Sequence, residues 1–347
     1  MNTFHWHLAD DQGWRVEIKK LPKLTEIGSK FSPQHKGERN GYFTQEDVKE
    51  VVQYAADRHI TVVPEFAMPG HVLALLAAYL ELSCTGGPSF EIFPYMSKPV
   101  VERTPIDVLC VGNDKALEVV KTALSEIVEL FPSPYIHIGG DECPTARWNK
   151  CVKCQARVKA EGLKDESQLE TWFVNDLAKF LESKNKRLAG WDEIILGGNL
   201  TPRAVVTSWR GIAPGIAAAK AGNDVVMSPA MPCYLDHLLS DPKVTPQTIY
   251  AWDPIPPQYC YELSEALPAE AAHILGAQVN MWTHIARDED GISQQIWPRV
   301  VSMAEVTWTP KDSRDWSRFS KNLKDHCERF DRMGVKYYRY PSIWAND

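Results

Sequence analysis

Short apolar runs alternate along the chain with longer stretches of helical periodicity, at a repeat of about 25 to 50 residues. The apolar runs read as strands: TFHWHL (3–8), ITVVPEF (60–66), YIHIGG (135–140), RLAGW (187–191), AVVTSW (204–209), DVVMSP (224–229) and ILGAQVNMW (274–282). Between them, TQEDVKEVVQYAADRH, NDKALEVVKTALSEIVELF, ESQLETWFVNDLAKFLESKN and APGIAAAKAG repeat their apolar positions with a helical period. A last helix, WSRFSKNLKDHCERFDRMG, stops on Gly334, and Thr44 with Asp47 suits a helix start. Strand and helix in strict turn predict parallel strands joined by crossover helices, an α/β fold.

Seven strands is one short of a closed barrel, and the chain opens as though already inside a strand. The expectation is a (β/α)8 TIM-type barrel lacking its first strand and helix in this chain, a single catalytic barrel domain over residues 1–347 with any upstream accessory domain absent. A missing strand leaves unpaired edges, so a longer parent protein, or a partner such as a second copy covering the gap, is expected. Longer insertions near residues 82–113, 143–165 and 230–272 each follow a strand, which places them over the C-terminal face, where barrels build their sites.

Composition narrows the field. A hydrophobic fraction of 44% with 24% charged residues supplies a sizeable core and argues against disorder. The net charge of -7, with Lys and Arg scattered, gives no footprint for nucleic acid or anionic lipid. No apolar stretch reaches the roughly 20 residues of a membrane span, and MNTFHWHLAD lacks the basic start and apolar run of a signal peptide. Eight Cys in so long a chain are no disulfide scaffold. Cys151 and Cys154 form a C-x-x-C with Cys143 eight residues earlier, but zinc would need a fourth ligand that the sequence does not identify. A loop disulfide and free thiols stand beside it, and Cys84 and Cys110, flanking a Gly/Pro-rich loop, could be bridged.

Chemistry gathers where the strands stop: His5, Trp6, His7, Asp10 and Asp11; Glu65 and His71; His137, Asp141 and Glu142; Trp191, Asp192 and Glu193; Trp209 and Arg210; Tyr234, Asp236 and His237; Gln278, Asn280, Trp282 and His284. So many ionisable groups are costly to bury without partners, so a shared open pocket is expected. Asp141 and Glu142 are adjacent, and a strand would send them to opposite faces. Gly139 and Gly140 release the chain from that alternation and clear space, so both can turn to one cavity. Two close carboxylates in a partly dry site share protons unequally, which suits acid catalysis on a sugar acetal. Alone, such a pair reads as a solvated loop; the strand-end setting changes that.

The stretches NTFHWHLADDQGWRVEIKKLPKLTEIGS, FTQEDVKEVVQYAADRHITVVPEFAMPGH, YIHIGGDE and IWPRVVSMAEVTWT together resemble the catalytic domain of family 20 glycoside hydrolases, the β-N-acetylhexosaminidases, over almost the whole chain and in family order. The resemblance implies an exo-acting, retaining, substrate-assisted hydrolysis of β-linked GlcNAc or GalNAc glycans without metal or cofactor, through an oxazolinium intermediate. It makes Glu142 the general acid and base, and Asp141 the carboxylate that orients the acetamido group. His71 would link Glu142 to an aspartate of HLADD, most simply Asp10. Trp191, Trp209 and Trp282 would wall the sugar pocket, simple core packing being the alternative for each. Tyr234 would donate to the acetamido oxygen, Asp236 would hold a hydroxyl or a pocket neighbour, and His137 would support the site from behind. Relatives are typically exported, so a secreted, periplasmic or cell-surface location is expected.

Two departures stand out. The arginine that the family carries on its first barrel strand has no counterpart here, and the usual W-T-E reads WTH, putting His284 where an acceptor is customary. His284 with Arg287 could favour an anionic 6-sulfate on the sugar, unless His284 points elsewhere. Two rivals remain: a non-catalytic N-acetylhexosamine-binding barrel, and a metal-dependent barrel hydrolase built on His5 and His7, which share a strand face.

Overall fold

The structure, a computed structural model, describes residues 1–35, 40–94, 107–240, 256–257, 272–286 and 288–344. All seven expected strands are present: β1 (Thr3–Asp10), β3 (Thr61–Phe66), β4 (Tyr135–His137), β5 (Arg187–Trp191), β6 (Val205–Ser208), β7 (Asp224–Met227) and β8 (Ile274–Ala277). The additional β2 (Gly13–Trp14) has only two residues, too few to show a period. Two strands are shorter than the apolar runs suggest. YIHIGG keeps strand pairing only to His137, because Gly139 and Gly140 take positive φ of 72° and 89°. ILGAQVNMW is regular only to Ala277.

The chain divides into two compact units, one of Asn2–Val206 with Gly222–Asp224, the other of Met1, Thr207–Ala221 and Val225–Asp347. In the first, β1 runs parallel to β3, β3 to β4 and β4 to β5, while β2 folds back antiparallel on β1. The register sets His7 beside Glu65 and Glu65 beside His137, one row across three strands. Helices α1 (Gln45–Ala56), α2 (Leu73–Ala78), α3 (Asp114–Leu130), α4 (Val152–Ala160) and α5 (Leu169–Glu182) belong to this unit. Helix α3 buries Val120, Leu124 and Ile127, and α5 buries Phe173, Val174, Leu177 and Leu181, the i, i+3, i+4 spacing that turns one face to the core. Thr44 caps α1 in a full capping box with Asp47, as its sequence predicts.

In the second unit β7 pairs parallel with β8, and α6 (Ile212–Lys220), α7 (Glu289–Ile296), α8 (Arg299–Trp308) and α9 (Trp316–Met333) accompany them. Met303 and Val306 of α8 pack with Phe319 and Leu323 of α9, Tyr340 and Tyr234 in one apolar cluster. Gly334 ends α9 in the left-handed conformation. No helix among the described residues is long and apolar enough to cross a membrane.

Candidate active site

Four parallel strands of the first unit, β1, β3, β4 and β5, supply the base of the site. Glu65 is fully buried. His5 Nε2 lies 2.9 Å and His7 Nδ1 2.8 Å from its carboxylate, His137 Nδ1 stands at 3.4 Å, and the Trp191 indole N–H donates to it at 2.8 Å. Burial alone would raise the pKa of this carboxyl, but His7, His137 and His5 outweigh it and hold it well below the ordinary range. His7 shares a 2.8 Å hydrogen bond with Asp10 through its other nitrogen, Nε2. Burial pulls its pKa down, yet Glu65 and Asp10 together raise it well above the usual imidazole value.

From Asp10 the contacts continue outward. His71 Nδ1 lies 3.3 Å from both Asp10 and Asp11, and His71 Nε2 lies 3.5 Å from Asp141 and 3.4 Å from Glu142. One imidazole thus faces two carboxylate pairs. Against the pull of burial, Asp10 and Asp141 raise its pKa well above normal, so it carries charge at neutral pH. Asp10 is held far below the carboxylate range because His71 and His7 overcome its desolvation, whereas burial raises Asp11. Asp11 also accepts the Leu73 N–H at 3.0 Å, which ties the His71 loop to β1.

The backbone is bent to this purpose. His71 and Glu142 hold positive φ of 52° and 47°, uncommon for residues with a Cβ. At Gly140 a Cβ would lie 2.4 Å from Ile194 Cγ2, and at Gly70 one would lie 3.0 Å from the Asp141 carbonyl, so glycine permits both the turn and the approach of the two loops. His137 accepts the Gly139 N–H on Nδ1 at 3.1 Å, and burial lowers its pKa to about 4, so it stays neutral while holding that turn. Asp141 and Glu142 therefore do face one group, as their neighbouring glycines predict.

Their affinities for a proton are uneven, raised at Asp141 and lowered at Glu142. Burial, partly offset by His71, lifts Asp141 to about 7. Glu142, with 57% of its side chain exposed, is lowered mainly by its hydrogen bond to His71.

Trp191, one of the expected pocket walls, is 2% exposed, stacked on His5 and edge-on to His137. The remaining expected residues belong to the second unit. There Trp209 stacks on Tyr234 at a ring separation of 6.2 Å, and Trp282 stands at 6.2 Å on a tilt. Asp236 is buried and thereby raised to about 7, while the fully buried Arg299 donates to the carbonyls of Leu235 and His237 on either side of it. His284 lies in a short 3-10 turn, Thr283–Ile285; Arg287, its suggested partner for a sulfate, lies outside the described residues.

Arg299 is the site residue that pattern reading did not single out; His5, His7, Asp11 and Glu65 stood among the strand-end residues, but without the partners the structure gives them. Glu65 had a signal: it is a carboxylate within an apolar strand run, where only partners make a charge tolerable. Two side-chain groups here bring possible metal ligands together, His5–Glu65–His137 and Asp10–Asp11–His71. Glu65 is already engaged by His7 and by the Trp191 indole N–H, and Asp10 and Asp11 by His71, so hydrogen bonding and charge pairing account for both groups.

Known proteins similar to this chain share its fold. The solved β-N-acetylhexosaminidase from Bacteroides fragilis superposes with a TM-score of 0.84 at 31% identity, covering 97% of this chain and 66% of that one. The exo β-N-acetylglucosaminidase from Vibrio harveyi, solved in complex with N-acetylglucosamine, gives 0.83 at 33% identity, covering 98% and 54%. The fold is thus that of TIM-type α/β barrels, with paired carboxylates beyond the ends of parallel strands. Within that class the chain belongs to glycosyl hydrolase family 20, whose catalytic domain matches residues 1–311. A β-hexosaminidase of Porphyromonas gingivalis is 44% identical over 342 residues, 97% of this chain and 43% of that protein. One of Vibrio furnissii is 34% identical over 316 residues, 87% of this chain and 51% of its own length. The chain therefore spans about half the length of these curated relatives.

Proposed function

We propose that this chain carries the catalytic centre of a retaining β-N-acetylhexosaminidase, which removes terminal β-linked N-acetylhexosamine by substrate-assisted catalysis. The observation that carries it is His71 set between Asp10/Asp11 and Asp141/Glu142, at 3.3 to 3.5 Å from all four carboxylates.

In the proposed reaction Glu142 protonates the glycosidic oxygen as the C1–O bond breaks. The substrate's acetamido oxygen forms the new bond to C1, and the positive charge spreads over the resulting oxazolinium ring. Asp141, ionised, accepts the acetamido N–H and stabilises that ring. Water then attacks C1, Glu142 takes its proton, and the ring opens to the sugar with retained configuration.

This sequence needs the proton on Glu142, whereas the site without substrate favours Asp141 over Glu142 as its holder. Substrate supplies the transfer: a sugar over Glu142 removes its solvent and raises its pKa, while an acetamido N–H donated to Asp141 favours the ionised form there. His71, charged and anchored on Asp10 and Asp11, keeps the pair in reach of each other throughout.

Hydrolysis of aryl N-acetyl-β-glucosaminides tests the reading. Glu142→Gln is expected to lower kcat by about 10²- to 10⁴-fold on a poor leaving group, and by much less on a dinitrophenyl-type one that departs without a proton. Sugar binding with no turnover by the unaltered chain would favour the non-catalytic alternative. A preference for 6-sulfated N-acetylglucosaminides, attached to His284, is a finer proposal; equal or weaker turnover of the sulfated sugar removes it.

A further inference from the structure

Four cysteines from three separated stretches converge elsewhere in the first unit. Cys84 follows the short turn Leu80–Leu82, Cys110 follows the bridge between Ser83 and Leu109, and Cys151 and Cys154 open helix α4. Their sulfurs lie 3.8 Å (Cys84 to Cys154), 3.6 Å (Cys110 to Cys151) and 3.7 Å (Cys110 to Cys154) apart. All four are within 4.8 Å of one another.

These separations are far beyond a disulfide bond of about 2.0 Å, and none of the four is in one. They match a different object. An ion bound tetrahedrally by thiolates at about 2.3 Å places its sulfurs about 3.8 Å from each other. Four sulfurs closing on one point at that spacing fit a single ion and leave no room for a polynuclear iron–sulfur cluster.

The backbone is packed closely around the sulfurs. Gly112, two residues after Cys110, lies directly against the backbone of Lys153 and Cys154. Only glycine allows that approach, since a Cβ on Gly112 would sit 2.3 Å from the Lys153 carbonyl. Cys110, Cys151 and Cys154 are buried and Cys84 is half-buried, so a bound ion would be shielded from solvent.

We propose that Cys84, Cys110, Cys151 and Cys154 bind one structural Zn²⁺. With four protein ligands the ion has no open position, so its work is mechanical. It fastens the segment that follows His71 to the segment that follows Glu142, the two loops whose residues meet at the carboxylate site. Cys143, next to Glu142 and the natural third member by sequence spacing, stands outside this set.

The whole chain, purified under reducing conditions without chelator, is expected to hold about one equivalent of zinc, released when a mercurial titrates the thiols. Metal-free chain refilled with Co²⁺ should show the visible bands of a tetrahedral tetrathiolate. Cys151→Ser with Cys154→Ser should lose the metal and Cys143→Ser should keep it; should the double variant not fold, the Co²⁺ spectrum of the unaltered chain still decides. Absence of metal after zinc supplementation, two disulfides found by mass spectrometry, or stoichiometric iron in place of zinc would overturn the proposal.

Discussion

Asp141 and Glu142 are neighbours in sequence but not in environment, and the difference is measurable. Asp141 is raised to about 7 by burial, so the folded chain binds a proton there that the unfolded chain releases near pH 4. Stability from that proton is complete below the unfolded pKa and is lost as pH climbs through about 7. Asp141→Asn removes the charge that burial penalises. It should therefore stabilise the chain at pH 8 by at least about 1 kcal/mol relative to its effect at pH 4, as read by urea unfolding at the two values, while activity falls. Equal effects at both pH values would mean that the buried proton is absent. For catalysis the pair acts through one shared proton, so its loss is a property of both groups. The alkaline limb of kcat/KM should fall near pH 7, with activity declining above it. A limb below the ordinary carboxylate range would place the working proton on Glu142 before substrate arrives. The pair itself was legible in HIGGDE because glycines announce a turn; which member holds the proton was not, since exposure and the approach of His71 come from distant loops.

At the scale of elements, the turn after β4 decides whether the site forms. Gly140 combines a positive φ with a Cβ position 2.4 Å from Ile194. Gly140→Ala pays for both the left-handed backbone and the overpacking, about 2 to 4 kcal/mol together. Urea midpoints should fall accordingly, and the surviving folded fraction should have a lower kcat, because the turn carries Asp141 and Glu142. A change below about 0.5 kcal/mol would show that Ile194 yields without cost. Strands were the most legible elements: seven apolar runs gave seven strands, since buried parallel strands need continuous apolar side chains on both faces. Helices α2, α4, α7 and α8 were harder. Helix α2 has six residues, α4 begins at the C-x-x-C, and α7 and α8 meet at Trp297-Pro298, so none offers a long uninterrupted period. Conversely, the row His7–Glu65–His137 depends on register between strands far apart in sequence, which no local pattern encodes.

For the whole molecule, the tetrathiolate site predicts how stability and activity move together. Its ligands cross-link residues 84, 110, 151 and 154, closing loops that the unfolded chain would otherwise explore freely. Zinc held more tightly by the folded arrangement than by the dispersed thiols adds that difference in binding to folding stability. In a chain this large the core does not depend on the metal, as a zinc finger's does, so removal should loosen loops rather than unfold the chain. Withdrawal of the ion under reducing conditions should then lower Tm by at least about 3 °C, the scale of a few kcal/mol in a large domain. Because the loosened loops carry His71 and Glu142, kcat should drop with the same metal dependence. Zinc should restore both quantities and magnesium neither, since a hard cation has no use for thiolates. An unchanged Tm together with unchanged kcat after complete zinc loss would show that the close packing at Gly112 and the fully buried Trp148, whose indole N–H donates to the Leu109 carbonyl, hold these loops without the ion.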